Sequence, residues 1–530
     1  MQTVSENWKN AHKQTLLTES DVEVSLDIAD PDAIADASSQ DNGAVYISDT
    51  SEVVSEVDKN IVPYCTLEQN LWILDGGRKA IPEDEYGNSG YVGDALSNDQ
   101  CVFDDKTPTL TVNFSRVFGS LIPGVTITWS NAHGEFADNF VVTAYNGNTV
   151  VAEKEVIGNR SIKSLVMVDI INYDRIVIQI KKWCLPYHRA RIEEVFVGMN
   201  KVYSKSELFD YSHTQSVDPA STSLPKMEMK FAIDNSDDGY NPFNEQGMSK
   251  YLMERQEVRS RYGLKMNDGS VEWIKGGTFY LSEWFAKQNG LTAEFTARDI
   301  LEFMSATYQD SHNLSSRNLY DLAERILLAA ELPLNSNGGV KWVIDESLKS
   351  ITTTAPLPED TLANCLQLIA NAGECVMYQD RGGTLRIEPL RGDSTDYKIN
   401  SFNSYTKSEI TLAKPIKKIV VKVYSYSKGS NGVESTTAEV AIDVGVAGEV
   451  ITIDNPLITD ATRATSLGSW LGAHLGHRKT LSSEWRPDVR LDALDIITNE
   501  NEYHTNQVRM TDVEFKFNGA FRGKGKGKVI

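Results

Sequence analysis

The stretch KMEMKFAID, Lys226–Asp234, decides the reading of this chain. Met227, Met229, Phe231 and Ile233 fall in phase, with polar or small residues between them. A side-chain period of two is the mark of a β-strand with one face on a core. The cluster DNSDDGYNP follows and reads as a turn. Further strands are predicted at VEWIKGGTFYLSEWF and LTAEFTARDI, and YLMERQEVRSRYGLKM reads as a helix or a strand entry. The segment before it, SKSELFDYSHTQSVDPASTSLP (204–225), reads as a linker, with His213 as a solvated histidine.

Upstream, Ser5–Leu16 reads as a short helix, and VEVSLDI places Val22, Val24, Leu26 and Ile28 on one strand face. Residues 29–60 read as an acidic loop with one strand at AVYIS. From Asn70 come short strands at TLTVNF, VTITWS, NFVVTAYN, TVVAEKEV, RIVIQIKKW and RIEEVFVGM, with turn signals at Pro123, Asn146 and Asn172. That spacing predicts an antiparallel sandwich. Downstream, LYDLAERILLAAEL and TLANCLQLIANAGE carry helical spacing. CVMYQDRGGTLRIEPL reads as a hairpin tipped by RGG, and a third helix is expected at TRATSLGSWLGAHLGHR between further strands. The closing RGKGKGKVI reads as a flexible basic terminus, or as a tail that docks on an acidic neighbour. The predicted fold class is mainly β with some helices, a β-rich α+β chain.

At 530 residues the chain has room for about three or four domains. Its 41% apolar content is that of a globular protein. A net charge of -22 argues against nucleic acid as the main partner, because phosphate binding needs clustered Lys and Arg. Five cysteines, without a CxxC spacing, imply neither a disulfide framework nor a zinc site; Cys365 and Cys375 read as buried thiols. No signal peptide or run of 18 apolar residues is visible, and assembly in a reducing cytoplasm is expected.

No HExxH, GxSxG, Walker or GxGxxG phrase occurs, so no catalytic residues are assigned and the chain is not read as an enzyme. Two constellations remain. DNSDDGYNPFNE sets Asp234, Ser236, Asp238, Gly239 and Glu245 at calcium-loop positions one, three, five, six and twelve. Asp234, Asp238 and Glu245 are the candidate ligands for Ca2+; Pro242 at position nine and the preceding strand favour a plain turn built by Asp and Asn side chains. In the sandwich, Tyr86, Tyr91, Trp183, Tyr187, His188 and Arg189 are candidate contacts to a glycan or a neighbouring subunit. A sugar's apolar face stacks on an aromatic ring while its hydroxyls need polar partners. The alternative is that Trp72, Trp129 and Trp183 fill the sandwich core.

The phrases FAIDNSDDGYNP, YLMERQEVRSRYG, VEWIKGGTFYLSEW, TAEFTARDILEFM, LQLIANAGECVMYQDRGGTLRIEP and VEFKFNGAFRGKGKGKV, in that order over roughly 210–525, resemble tail proteins of phages that infect Gram-positive bacteria. The layout resembles tail hub proteins, and residues 65–203, with NLWILDGG, YVGDALS and ARIEEVFVG, resemble a discoidin-like jelly-roll module. The resemblance implies β-barrel hub-like domains with an inserted β-sandwich. The parts would be 1–64 completing the hub-like body, the sandwich at 65–203, a first β domain at 204–305, a helix-containing domain at 306–400, and a second β domain with a basic tail at 401–530. It implies a trimeric ring that caps the tail tube, with tube, distal tail, tape measure and fibre or receptor-binding proteins as partners and DNA only in transit. The protein would reside in the virion. A hexameric distal-tail ring and a host-glycan-binding tail protein are the alternatives; a cell-wall hydrolase is a third reading.

Overall fold

A computed structural model of the chain describes residues 1–14, 19–50, 53–54, 63–76, 78, 90–266, 269–287, 290–309, 314–333, 339–392, 394–429, 432–500 and 503–530. The fold is mainly β, as expected, with helices in a minority. Its largest element is a 13-stranded sheet assembled from distant parts of the sequence. Strand Ser20–Ala29 lies between Gly198–Tyr203 and Glu257–Lys265, so the chain leaves the sheet after the first of these and returns with the second. Val22, Val24, Leu26 and Ile28 are fully buried on its inner face.

Strand Lys226–Asp234 pairs with Leu208–Ser216 on one side and Thr292–Arg298 on the other. Met227, Met229, Phe231 and Ile233 are buried as their spacing predicts. The predicted linker is corrected here: Leu208–Ser216 is a strand of the same sheet, and it also pairs with Thr505–Phe517. It therefore joins the strands before residue 300 to those after 400, and both sets share one core. The misreading has a physical cause. His213 and Gln215 point inward, so the strand lacks the apolar alternation that marks its neighbours.

The expected flexible C-terminus is likewise a strand. Phe521–Val529 runs between Lys479–Trp485 and Thr505–Phe517. Gly523, Gly525 and Gly527 face the core and Arg522, Lys524 and Lys526 face out. The glycines leave space for Trp485, whose ring is fully buried. A Cβ on Gly525 would stand 3.0 Å from that ring and 2.6 Å from the Asp512 carbonyl oxygen.

The helix-containing part packs its own core. Helix Leu319–Ala329 buries Leu319, Leu322, Ala323, Ile326 and Leu327, and Asn318 caps it by accepting the Asp321 amide at 2.8 Å. Thr361 caps Leu362–Ala372 in the same way. Hairpin strands Val376–Gln379 and Leu385–Glu388 pair as read, and Cys365 and Cys375 are buried. Helix Ala461–Gly476 packs on the hairpin of Ile416–Gly429 and Gly432–Asp443.

A third core belongs to a sandwich. One sheet has five strands, in the order Ser38–Asp41, Thr109–Phe118, Tyr173–Trp183, Ala137–Asn146, Thr149–Ile157. Facing it is Glu194–Phe196, Ile122–Thr128, Lys163–Ile170, the last of which the sequence reading missed. The stretch 29–60 differs from expectation: it holds helix Pro31–Asp36 and strand Ser38–Asp41, and AVYIS contributes only an isolated bridge at Ala44.

Candidate functional site

The sandwich residues singled out by sequence converge on one buried carboxylate. Glu135 sits in the turn that precedes strand Ala137–Asn146. Trp183, at the end of strand Tyr173–Trp183, donates its indole N–H to Glu135 at 2.8 Å. His188 meets the other oxygen through Nδ1 at 2.9 Å, and the Arg191 guanidinium stands 3.5 Å away. Arg191 also pairs with Glu68, whose second oxygen accepts the Arg189 amide at 2.8 Å. Burial raises the Glu135 carboxyl, but the His188 hydrogen bond and the Arg191 charge outweigh it and hold the group below its usual range. His188 is raised: burial opposes its charge, and the Glu135 bond wins. The charges are paired and hydrogen-bonded, as buried charges must be.

This geometry corrects the contact set. Trp183 and Tyr91 are 0% exposed and His188 is 3% exposed, so none offers a surface to a glycan or a subunit. The His188 and Glu135 side chains are 4% and 2% exposed, so the pair is shielded from solvent. Trp129 and Trp183 fill the core, whereas Trp72 does not: it is 55% exposed. Tyr187 remains at the surface and Arg189 is half-buried. Tyr187 is 49% exposed on a left-handed backbone (φ 59°), and Arg189 donates to the Gly93 carbonyl. Tyr86 lies outside the described residues.

In the turn after Lys226–Asp234 the acidic side chains serve the backbone. Asp234 accepts the Ser236 amide at 3.1 Å and its hydroxyl at 3.0 Å. Asp237 accepts the Gly239 amide, and Asp238, on a left-handed backbone, accepts the Asn241 amide side chain at 3.0 Å. Among the described residues no three His, Cys, Asp or Glu side chains are grouped to hold a metal ion, so Asp234, Asp238 and Glu245 do not converge.

Sequence reading missed the seam between the helix-containing part and the large sheet. Arg381, in the RGG tip, reaches Asp492 with Nε at 2.5 Å and donates to the carbonyls of Lys275 at 2.8 Å and Leu491 at 2.9 Å. Gln379 donates to the Thr278 carbonyl at 2.8 Å and accepts the Ile300 amide at 2.6 Å. Lys341 pairs with Glu257 at 3.0 Å. Gly383 turns the hairpin at φ 82° with Thr278 3.1 Å from where a Cβ would sit. His213 lies in the adjacent core, with Nδ1 2.7 Å from the Tyr262 hydroxyl; burial and the nearby Arg381 charge press it down to about 3, so it is neutral. A cavity of about 670 Å³ opens beside the seam, lined by Lys226, Asp299, Arg386, Arg490 and Asp495 among others. Burial pushes Asp299 up to about 7, and its oxygens already accept the amides of Met227 and Leu301. Arg386 and Arg490 are paired with Asp380 and Asp488. The arrangement fixes two bodies of structure against each other.

No protein-family model matches the chain, and no curated protein matches it. Solved structures do. The chain is similar to the 43 kDa tail protein of prophage MuSo2 from Shewanella oneidensis, at 12% identity over 62% of this chain and 95% of that one, with a TM-score of 0.41. It is similar to a tail protein from Neisseria meningitidis MC58, at 10% identity over 63% and 94%, with a TM-score of 0.42. It is also similar to prophage tail protein gp18 from Listeria monocytogenes EGD-e, at 11% identity over 62% and 91%, with a TM-score of 0.39.

Proposed function

We propose that this chain is a non-enzymatic structural subunit of a phage tail tip or baseplate. It resides in the virion, and closes as a ring, a trimeric hub, on the end of the tail tube. Tube, distal tail, tape measure and fibre or receptor-binding proteins are its partners, and DNA passes without stable binding. The reading rests first on the ordered phrases from FAIDNSDDGYNP to VEFKFNGAFRGKGKGKV. The structural observation that carries it is the single sheet bridged by Leu208–Ser216, clamped to the helix-containing part through Arg381. One core behind a long polar face makes a stiff wall segment, and a heterologous contact repeated with the right rotation closes such segments into a ring. To test it, phage particles from a producing lysate are banded by density, and the chain is located with gold-labelled antibody. Label at the tail end supports the reading; particles free of the chain overturn it.

A second reading is favoured by Tyr187, exposed in the turn that leads into strand Arg189–Ile192 of the sandwich, with half-buried Arg189 at the start of that strand. In it the sandwich binds a host-surface glycan. Binding of the full chain to a glycan array, lost in Tyr187→Ala, supports that role; no glycan bound by the full chain removes it.

A further inference from the structure

Among the described residues, the large sheet ends on an edge with no further strand. Strand Glu409–Leu412 pairs only with Lys479–Trp485 among the described residues. The Ala413 amide donates to the Arg478 carbonyl at 2.9 Å. In an antiparallel pair the bonded positions alternate, so 409, 411 and 413 face the sheet. The N–H and C=O groups of Ile410 and Leu412 then point away from it. Their side chains are 50% and 63% exposed. Soluble proteins usually blunt such an edge with charge, proline or a covering element; here Lys407, Lys414 and Pro415 flank the strand, but no second strand is paired with it among the described residues. The opposite end of the same sheet is covered: Gly198–Tyr203 lies against the sandwich, where Thr126 donates to the Gly198 carbonyl.

A second edge has the opposite charge. Strand Gly432–Asp443 is one of the two outer members of its three-stranded sheet, and residues 434–439 are all exposed. It carries Glu434, Glu439 and Asp443 and neither Lys nor Arg. The first edge is flanked by Lys407 and Lys479, for which no ion pair is found among the described residues, whereas Lys414 just beyond it is paired with Glu449 at 2.6 Å. Glu409, on the strand itself, carries the opposite charge.

We propose that Glu409–Leu412 of one copy accepts the Gly432–Asp443 edge of a second copy of this chain by strand addition, with Lys407 and Lys479 facing Glu434 and Glu439. The two edges are different, so the contact is head-to-tail, the kind from which closed rings are built. Main-chain hydrogen bonds supply the affinity and the charges fix the register. This inference rests on the ring reading above and names its interface.

The test is sedimentation velocity of the full chain over a concentration series, alone and with tail-tube protein. Ile410→Pro removes an outward N–H without touching the existing ladder. Lys479→Glu and Glu439→Lys each place like charges in contact. Each single variant is expected to weaken self-association by on the order of tenfold or more. Lys479→Glu combined with Glu439→Lys is expected to restore it. Circular dichroism checks that each variant is folded. Single variants that associate like the unmodified chain, or a double variant no better than the singles, overturn this interface while leaving the ring in place. An unmodified chain that stays monomeric throughout overturns the ring reading and this interface with it.

Discussion

Replacing Arg381 by alanine should loosen the seam between the RGG hairpin and the large sheet. The guanidinium is 3% exposed and makes an ion pair and two bonds to main-chain carbonyls. Removing one partner of a buried pair typically costs about 3–5 kcal/mol. Here Asp492 keeps 21% exposure and a hydrogen bond from Gln2, which soften the loss. We therefore expect about 2–4 kcal/mol, read as roughly 30- to 900-fold faster hydrogen exchange of the 376–388 amides. The effect should shrink in acid. Burial raises the Asp492 carboxyl, but Arg381 outweighs it and holds the group below its usual range. The pair's contribution is thus present above the ordinary carboxylate range and lost as pH falls through the lowered folded value. A change of less than threefold at neutral pH, or one spread evenly over the chain, would refute the reasoning.

Four other outcomes follow from the geometry. Gly525→Ala drives a methyl toward Trp485 and the Asp512 carbonyl, and should cost about 1–3 kcal/mol in thermal melts, while Lys524→Ala on the outer face stays within about 0.5 kcal/mol. His213 is depressed to about 3 in the folded chain, so its contribution is present above the free-imidazole value and is lost as pH falls below it. Exchange of the 208–216 amides should report a loss approaching 1.4 kcal/mol per pH unit below about 6, and His213→Phe should flatten that slope. His188 is raised, so its contribution runs the other way: full below the free-imidazole value, and lost as pH rises through the folded one. Trp183→Phe leaves Glu135 short of a donor and should cost the sandwich about 1–3 kcal/mol in urea unfolding monitored by its own amides.

What the sequence disclosed depended on whether a residue's partners were near it. KMEMKFAID and the helix at LYDLAERIL carry their own periods, and the structure follows them. FDYSHTQS does not, because its inward His213 becomes acceptable only through Tyr262, 49 residues away. GKGKGK looks like a loose tail because glycine disfavours strands. Its glycines make sense only beside Trp485, which local pattern cannot supply. The candidate contacts failed for a related reason. A tryptophan and a histidine near a turn look the same in sequence whether they face water or a carboxylate, and Glu135 lies 48 residues before Trp183. Arg381 stood in view as a hairpin tip, but Asp492 is 111 residues downstream.

In the proposed function, copies of this chain close into a ring on the tail tube. The most direct measurement is the mass of the purified chain by light scattering, with and without tail-tube protein. Three copies of the 58.9 kDa chain, formed alone or on the tube, are expected. Six copies would move the assignment to a distal-tail ring. A chain that remains monomeric at every concentration, with tube protein present, would contradict the account.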